Sequence, residues 1–200
     1  AQAAALAHKL TIAFPQTDLV NVDFGPKADE YVRDNPDIER LDGYTLGHQL
    51  INALIDRRGQ SCYAAFDAKA KAELDLAAGA KDPEGMVRVA DTYRHSTFAP
   101  VALLQAAELH YTAALAAGQK DTASGHLSDA GILLSRTMME YSPSPQAASA
   151  SLGLAMVYKR MRPQIAWLGL QGLTDVNPDA RVSFADVNGR LGEVLSRFDP

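Results

Sequence analysis

The chain has few of the residues that form disulfide-linked or metal-stabilised folds. Its 200 residues include one cysteine, Cys62, which excludes an intrachain disulfide and any zinc or iron–sulfur site made from several cysteines. Aromatic residues make up only 7% of the chain. No apolar run approaches the ~18 residues that a membrane-spanning helix needs, so we expect no membrane insertion.

Positive charge is also scarce. Nineteen Lys and Arg residues stand against twenty-four Asp and Glu residues, a net charge of −5. A dedicated nucleic-acid binder needs a basic patch to neutralise phosphates. The main basic cluster, residues 159–162, is predicted at a helix C-terminus, where cations favourably oppose the helix dipole. We therefore expect no nucleic-acid partner.

What the chain does contain favours helices. Hydrophobic residues make up 47% of it and 34 residues are alanine. From Tyr44 onward apolar residues recur three or four positions apart, which indicates amphipathic helices. The predicted helices cover residues 44–58, 60–78, 83–93, 99–118, 122–141, 146–161, 163–173 and 182–198. No strands alternate with them, so the sequence predicts an all-α fold.

The first forty residues read differently. Residues 1–9 predict a short helix that ends before Pro15, and loose alternation between Leu10 and Pro26 predicts an extended segment. Two short strands alone are barely stable, so we expect an irregular N-terminal arm over residues 1–40 and a helical-repeat domain over residues 41–200.

The chain opens on Ala1-Gln2-Ala3 without a methionine. An alanine-rich start of this kind is typical of mature exported bacterial proteins. The lone cysteine tolerates an oxidising compartment. The prediction is a periplasmic or otherwise exported protein, with the cytoplasm as the alternative.

An internal echo appears when the sequence is shifted by 48 residues. Tyr93 then stands over Tyr141, and the identities that follow are Ser96/Ser144, Ala99/Ala147, Ala102/Ala150, Leu104/Leu152 and Ala107/Ala155. Small residues thus recur on one helix face after an aromatic residue and a turn, where two helices approach closely. Repetition of one helical hairpin is the mark of a stacked array.

Residues 83–198 resemble tetratricopeptide (TPR) repeats, most clearly over residues 127–161. The positions that carry the resemblance are Ala130, Leu134, Thr137 and Pro143 for helix B of one unit and Leu154, Ala155 and Tyr158 for helix A of the next. The resemblance implies stacked antiparallel helical hairpins, that is, a TPR-like α-solenoid wound as a right-handed superhelix. Such arrays bind peptides or partner domains on a concave surface.

The resemblance also implies which residues face that groove. They are Glu108, Tyr111 and Thr112 in one helix and Met156, Lys159 and Arg160 in the next. The cations would hold carboxylates of a protein or peptide partner, while Tyr111 and Met156 would supply apolar contact. The resulting hypothesis is a noncatalytic interaction or scaffold module without a cofactor.

A cysteine-dependent hydrolase is the second hypothesis. The segment 59–63, Gly-Gln-Ser-Cys-Tyr, resembles the nucleophile segment of papain-like cysteine proteases, whose cysteine begins a helix that lowers the thiol pKa. That family also needs a histidine far downstream, and no histidine follows His126. His110 and His126 could serve as the base only in a different geometry.

Two further interpretations concern the second half of the chain. His126 and Asp129 lie three apart on one helix face and could give two ligands of a metal site, but no further ligands are evident, and we interpret Asp129 as solvated.

A homo-oligomer is the third functional hypothesis. Its contact would be the apolar face of the last predicted helix, formed by Val182, Val187, Leu191, Val194 and Leu195.

Overall fold

A computed structural model describes residues 2–13, 43–161 and 178–197 of the chain. Helices hold 81% of these residues, which confirms the predicted helical fold class, and a small β-hairpin is added to it. The boundary predicted at residues 40/41, the segment 14–26 and the helix 163–173 lie outside the described residues. The chain forms two compact units, residues 1–69 and 70–200. None of the described helices combines the length and the apolar character that crossing a bilayer demands.

The first unit contains α1 (Gln2–Ala13), α2 (Gly43–Arg58) and a 3-10 turn (Gln60–Tyr63). Helix α1 packs along α2, and the approach is close at Gly47. A Cβ on Gly47 would lie 2.5 Å from the Thr11 side chain. The buried core of this unit is Ala4, Ala7, Ile51 and Tyr63, flanked by Leu54, Ile55 and Phe66.

The extended segment predicted from Leu10 is wrong as far as Ala13, because α1 continues to that residue. Thr11 is buried, and its hydroxyl donates a 2.8 Å hydrogen bond to the carbonyl of His8 one turn earlier. Packing against α2 outweighs the weak strand preference of the β-branched residues here, as tertiary contacts commonly do.

The second unit is built from consecutive helices. Helix α3 spans Ala64–Ala80, and the helices after it are α4 (Pro83–Thr92), α5 (Ala99–Ala116), α6 (Lys120–Tyr141) and α7 (Pro145–Met161). Asp82 caps α4, because its carboxylate accepts a 2.9 Å hydrogen bond from the Gly85 amide. Each helix from α4 to α7 packs on the next, and α5 also contacts α7.

The 48-residue echo corresponds to buried alanines on α5 and α7. The three alanine pairs of the echo are at most 7% exposed, in Ala99, Ala102, Ala107, Ala147, Ala150 and Ala155. Alanine at these positions lets neighbouring helices approach, because a larger side chain would need space that close-packed interiors do not leave. The echo therefore has a packing basis.

The helix predicted over residues 182–198 is wrong over residues 182–190 and is confirmed over Leu191–Ser196. The structure has an antiparallel hairpin of β1 (Arg181–Phe184) and β2 (Val187–Arg190), followed by the short helix α8 (Leu191–Ser196). Four of the five apolar residues assigned to an exposed helix face are at most 4% exposed within the unit: Val182, Leu191, Val194 and Leu195. They already pack inside the chain, so the apolar face proposed for a homo-oligomer does not exist in this form.

Candidate functional site

The hairpin lies on the helices that the sequence assigned to partner binding. Strand β1 packs on α7, and its last residue, Phe184, is completely buried. The Phe184 ring meets the Tyr111 ring of α5 edge-on, with 5.5 Å between centroids. On α7, a Cβ built on Gly153 would lie 2.8 Å from the Phe184 ring and 2.9 Å from Leu134. The absence of a side chain at Gly153 thus makes room for the phenyl ring.

Side chains of the helices also accept hydrogen bonds from the backbone of the hairpin. The Ser183 amide donates to Ser149 Oγ at 3.1 Å, and the Ala185 amide donates to Glu108 Oε1 at 3.1 Å. These contacts bind the backbone of strand β1 at Ser183 and of the hairpin turn at Ala185, independently of the side chains there. Together with the pocket for Phe184, they form what we call the α5/α7 face: Glu108, Tyr111, Ser149, Gly153 and Arg160.

Two features of this contact cost free energy. Ala185 has φ 52°, a left-handed conformation that is uncommon for residues other than glycine. Burial raises the pKa of Glu108, an effect that the hydrogen bond from the Ala185 amide partly opposes. Backbone strain and perturbed carboxylates are more frequent at functional sites than elsewhere.

The structure brings together three of the six predicted groove residues. Arg160 Nε donates a 3.0 Å hydrogen bond to the Tyr111 hydroxyl, and the guanidinium carbon lies 5.7 Å from the Tyr111 ring centroid. Glu108 joins them through the hairpin. Thr112 and Lys159 are exposed.

The expectation that Tyr111 and Met156 offer open apolar surface is wrong. Tyr111 is 3% exposed and Met156 is 6% exposed. For Tyr111 the physical reason is plain, since Phe184 and Arg160 cover its ring and hydroxyl. The face is already occupied by a segment of the same chain.

Sequence reasoning missed Phe184, Ser149 and Gly153. A signal for the first was present, because Val182 and Phe184 alternate with polar Arg181 and Ser183, and strand β1 is buried at every second residue. Gly153 and Ser149 lie inside a helical pattern that gives no hint of what packs on them.

A separate cluster of three possible metal ligands lies between α5 and α6. His110 Nδ1 is 3.2 Å from His126 Nδ1 and 3.7 Å from Asp129 Oδ2, and the three ligand atoms all lie within 4.8 Å of one another. Both histidines are partly buried and Asp129 is exposed. The structure thus adds His110 to the His126–Asp129 pair that the sequence indicated.

The position of His110 follows from the helical hairpin. His110 lies eight residues before Gly118 and His126 eight residues after it. Helices α5 and α6 are joined by residues 117–119, so residues equally distant from the turn face each other across the antiparallel pair. That symmetry is the sequence signal by which the third ligand could have been found.

Cys62, the nucleophile of the alternative hypothesis, lies partly buried in the 3-10 turn of the first unit. The histidines considered as its base, His110 and His126, pair with each other in the second unit. In the first unit the His8 ring packs on Phe66, with 4.3 Å between centroids, and its Nδ1 lies 3.2 Å from the Tyr63 hydroxyl. No described contact supports a thiol–imidazole pair.

Comparison of the chain with protein-family models, with curated proteins and with solved structures finds no match.

Proposed function

We propose that this chain is a noncatalytic protein-interaction module of TPR-like type whose α5/α7 face binds an extended peptide segment of a partner protein. The carrying observation is that the face already holds an extended segment of its own chain. Stacked helical hairpins in a right-handed superhelix would place α5 and α7 on the concave side, the side on which such arrays bind partners.

The contacts of the hairpin define the partner's chemistry. The pocket at Gly153 accepts an aromatic ring, and Tyr111 offers its ring for an edge-on contact. Ser149 and Glu108 accept backbone N–H groups on either side of that ring. A partner segment is therefore expected to be extended up to an aromatic residue and to turn directly after it, as the chain does at Ala185, with an amide on each side of the ring that reaches these acceptors.

The hairpin acts as an intramolecular competitor for the face. An isolated two-stranded hairpin is marginal in water, and the left-handed Ala185 and the partly buried Glu108 carboxylate weaken its docking further. A tethered segment nevertheless acts at an effective concentration of about a millimolar. A partner present well below that concentration must therefore bind better than a free peptide of the same sequence in order to displace the hairpin, whereas an excess of the peptide itself can compete.

This proposal is tested by binding of a fluorescent peptide that copies residues 178–190 to the full chain. Phe184→Ala removes the ring that anchors the internal competitor, so we expect at least about tenfold tighter peptide binding than in the wild type. The matched control is Asn188→Ala, an exposed position of β2, which should leave binding unchanged.

A second variant distinguishes specific from nonspecific peptide binding. In the Phe184→Ala background, Gly153→Val fills the pocket and should abolish the gain in peptide affinity. Equal affinity for the wild type and the folded Phe184→Ala variant would overturn the proposal. So would binding that persists after the pocket is filled.

A further inference from the structure

We propose that His110, His126 and Asp129 form a binding site for a divalent transition-metal ion, with zinc as the best-suited ion. Two imidazole nitrogens and one carboxylate oxygen are a ligand set that zinc accepts, and three protein ligands leave a fourth position for water. The proposal is independent of peptide binding to the α5/α7 face.

The distances fit such a site. In a tetrahedral site with metal–nitrogen bonds of ~2.0–2.1 Å, neighbouring ligand atoms lie ~3.3 Å apart. The two Nδ1 atoms are 3.2 Å apart. Asp129 Oδ2 is 3.7 Å from His110 Nδ1, and the three ligand atoms all lie within 4.8 Å of one another, so the carboxylate needs to move by at most about 1.5 Å. The Asp129 side chain is 55% exposed and has room for that adjustment.

The three ligands lie on two helices, so a bound ion would affect the stability of the fold. His110 belongs to α5, whereas His126 and Asp129 are three residues apart on α6. A bound ion would connect the two helices, and an ion that binds only the folded chain raises its thermal stability. Without metal the two rings can hydrogen-bond directly, one nitrogen donating and the other accepting.

The test uses the full chain with Co²⁺ and Zn²⁺ as probes. Calorimetry should show one Zn²⁺ per chain, Co²⁺ should give the visible absorption of a tetrahedral complex, and Zn²⁺ should raise the melting temperature. His110→Ala and His126→Ala should each weaken metal binding at least about tenfold. His48→Gln, a histidine outside the cluster, is the matched control and should bind as the wild type does.

Asp129→Asn keeps the test decisive if a histidine variant fails to fold, because Asp129 is exposed and its replacement leaves the helix packing intact. It should weaken binding and reduce the zinc-dependent rise in melting temperature. The proposal is overturned if the wild type binds neither ion at micromolar concentration. It is equally overturned if binding survives all of the folded cluster variants, since the ion would then lie elsewhere.

Discussion

Gly153 and Phe184 are packed so closely that a Cβ on the glycine would lie 2.8 Å from the phenyl ring. Real Cβ atoms essentially never come this near to another heavy atom. The glycine belongs to α7 and the phenylalanine ends β1. This contact fixes where the hairpin lies on the helices.

Gly153→Ala is expected to destabilise the chain, although alanine normally favours a helix over glycine by ~1 kcal/mol. The added methyl group displaces Phe184 or Leu134, and overpacking of this kind costs ~1–3 kcal/mol. The measurement is the free energy of unfolding from urea titrations.

Gly125→Ala on α6 is the matched control, because a Cβ there meets nothing within 4 Å. It should be neutral or stabilising by up to ~1 kcal/mol. In a double-mutant cycle, Gly153→Ala should cost much less once Phe184 is alanine, since the two residues are in contact. Additive effects would contradict the close packing.

Two substitutions of Glu108 are expected to change the free energy of unfolding differently. Burial raises the pKa of this carboxyl, so the native state binds its proton more readily than the unfolded state does. Its contribution to stability is therefore fully present below the unfolded pKa and is lost as the pH rises through the folded pKa. Glu108→Gln, which keeps an acceptor for the Ala185 amide, should be at least as stable as the wild type at pH 7, with less advantage in mild acid.

Glu108→Ala removes the acceptor altogether and should cost ~0.5–1.5 kcal/mol at pH 7. Urea unfolding of both variants at two pH values is the measurement. A Gln variant that is less stable than the Ala variant would show that the hydrogen bond to Ala185 has been misassigned.

The first unit is expected to lose stability in mild acid. Burial, and next the nearby Lys69 charge, hold the pKa of His8 below its ordinary value of 6.5. The unfolded chain therefore takes up the proton first, and the stability that neutral His8 contributes declines as the pH falls below 6.5 and through the folded pKa.

An NMR titration of the His8 ring measures this pKa directly. Lys69→Gln should move it upward towards 6.5 and flatten the acid loss of stability. A His8 pKa at or above 6.5 in the folded chain would contradict the buried, Tyr63-paired placement of the ring.

The sequence predicted the helices well because their signals are local. Asp82-Pro83 indicates the start of α4, because aspartate is a preferred capping residue and proline fits the first helical position. The alanines shared by α5 and α7 announce close helix contacts. The first inference uses adjacent residues on one element, and the second compares the alanine spacing of two segments 48 residues apart.

The sequence did not predict the hairpin because apolar residues in this segment match both the helical spacing of three or four residues and the alternation of a strand. The set that ends in Leu191, Val194 and Leu195 matches a helix, and α8 is helical, whereas Val182 and Phe184 belong to the alternation of a strand. Occupation of the α5/α7 face could not be predicted either, because Glu108 and Ala185 are 77 residues apart. The His110–His126 pair was within reach through its symmetry about Gly118.

Whether a peptide can replace the hairpin on the α5/α7 face is tested most directly by an NMR displacement experiment. The full chain is labelled with ¹⁵N, and an unlabelled peptide that copies residues 178–190 is added in excess, so that only the chain's own hairpin is observed. We expect the amide signals of Ser183 and Ala185 to move to positions typical of unfolded chain as the peptide takes the α5/α7 face. Peptide binding that leaves both signals unchanged would contradict the account.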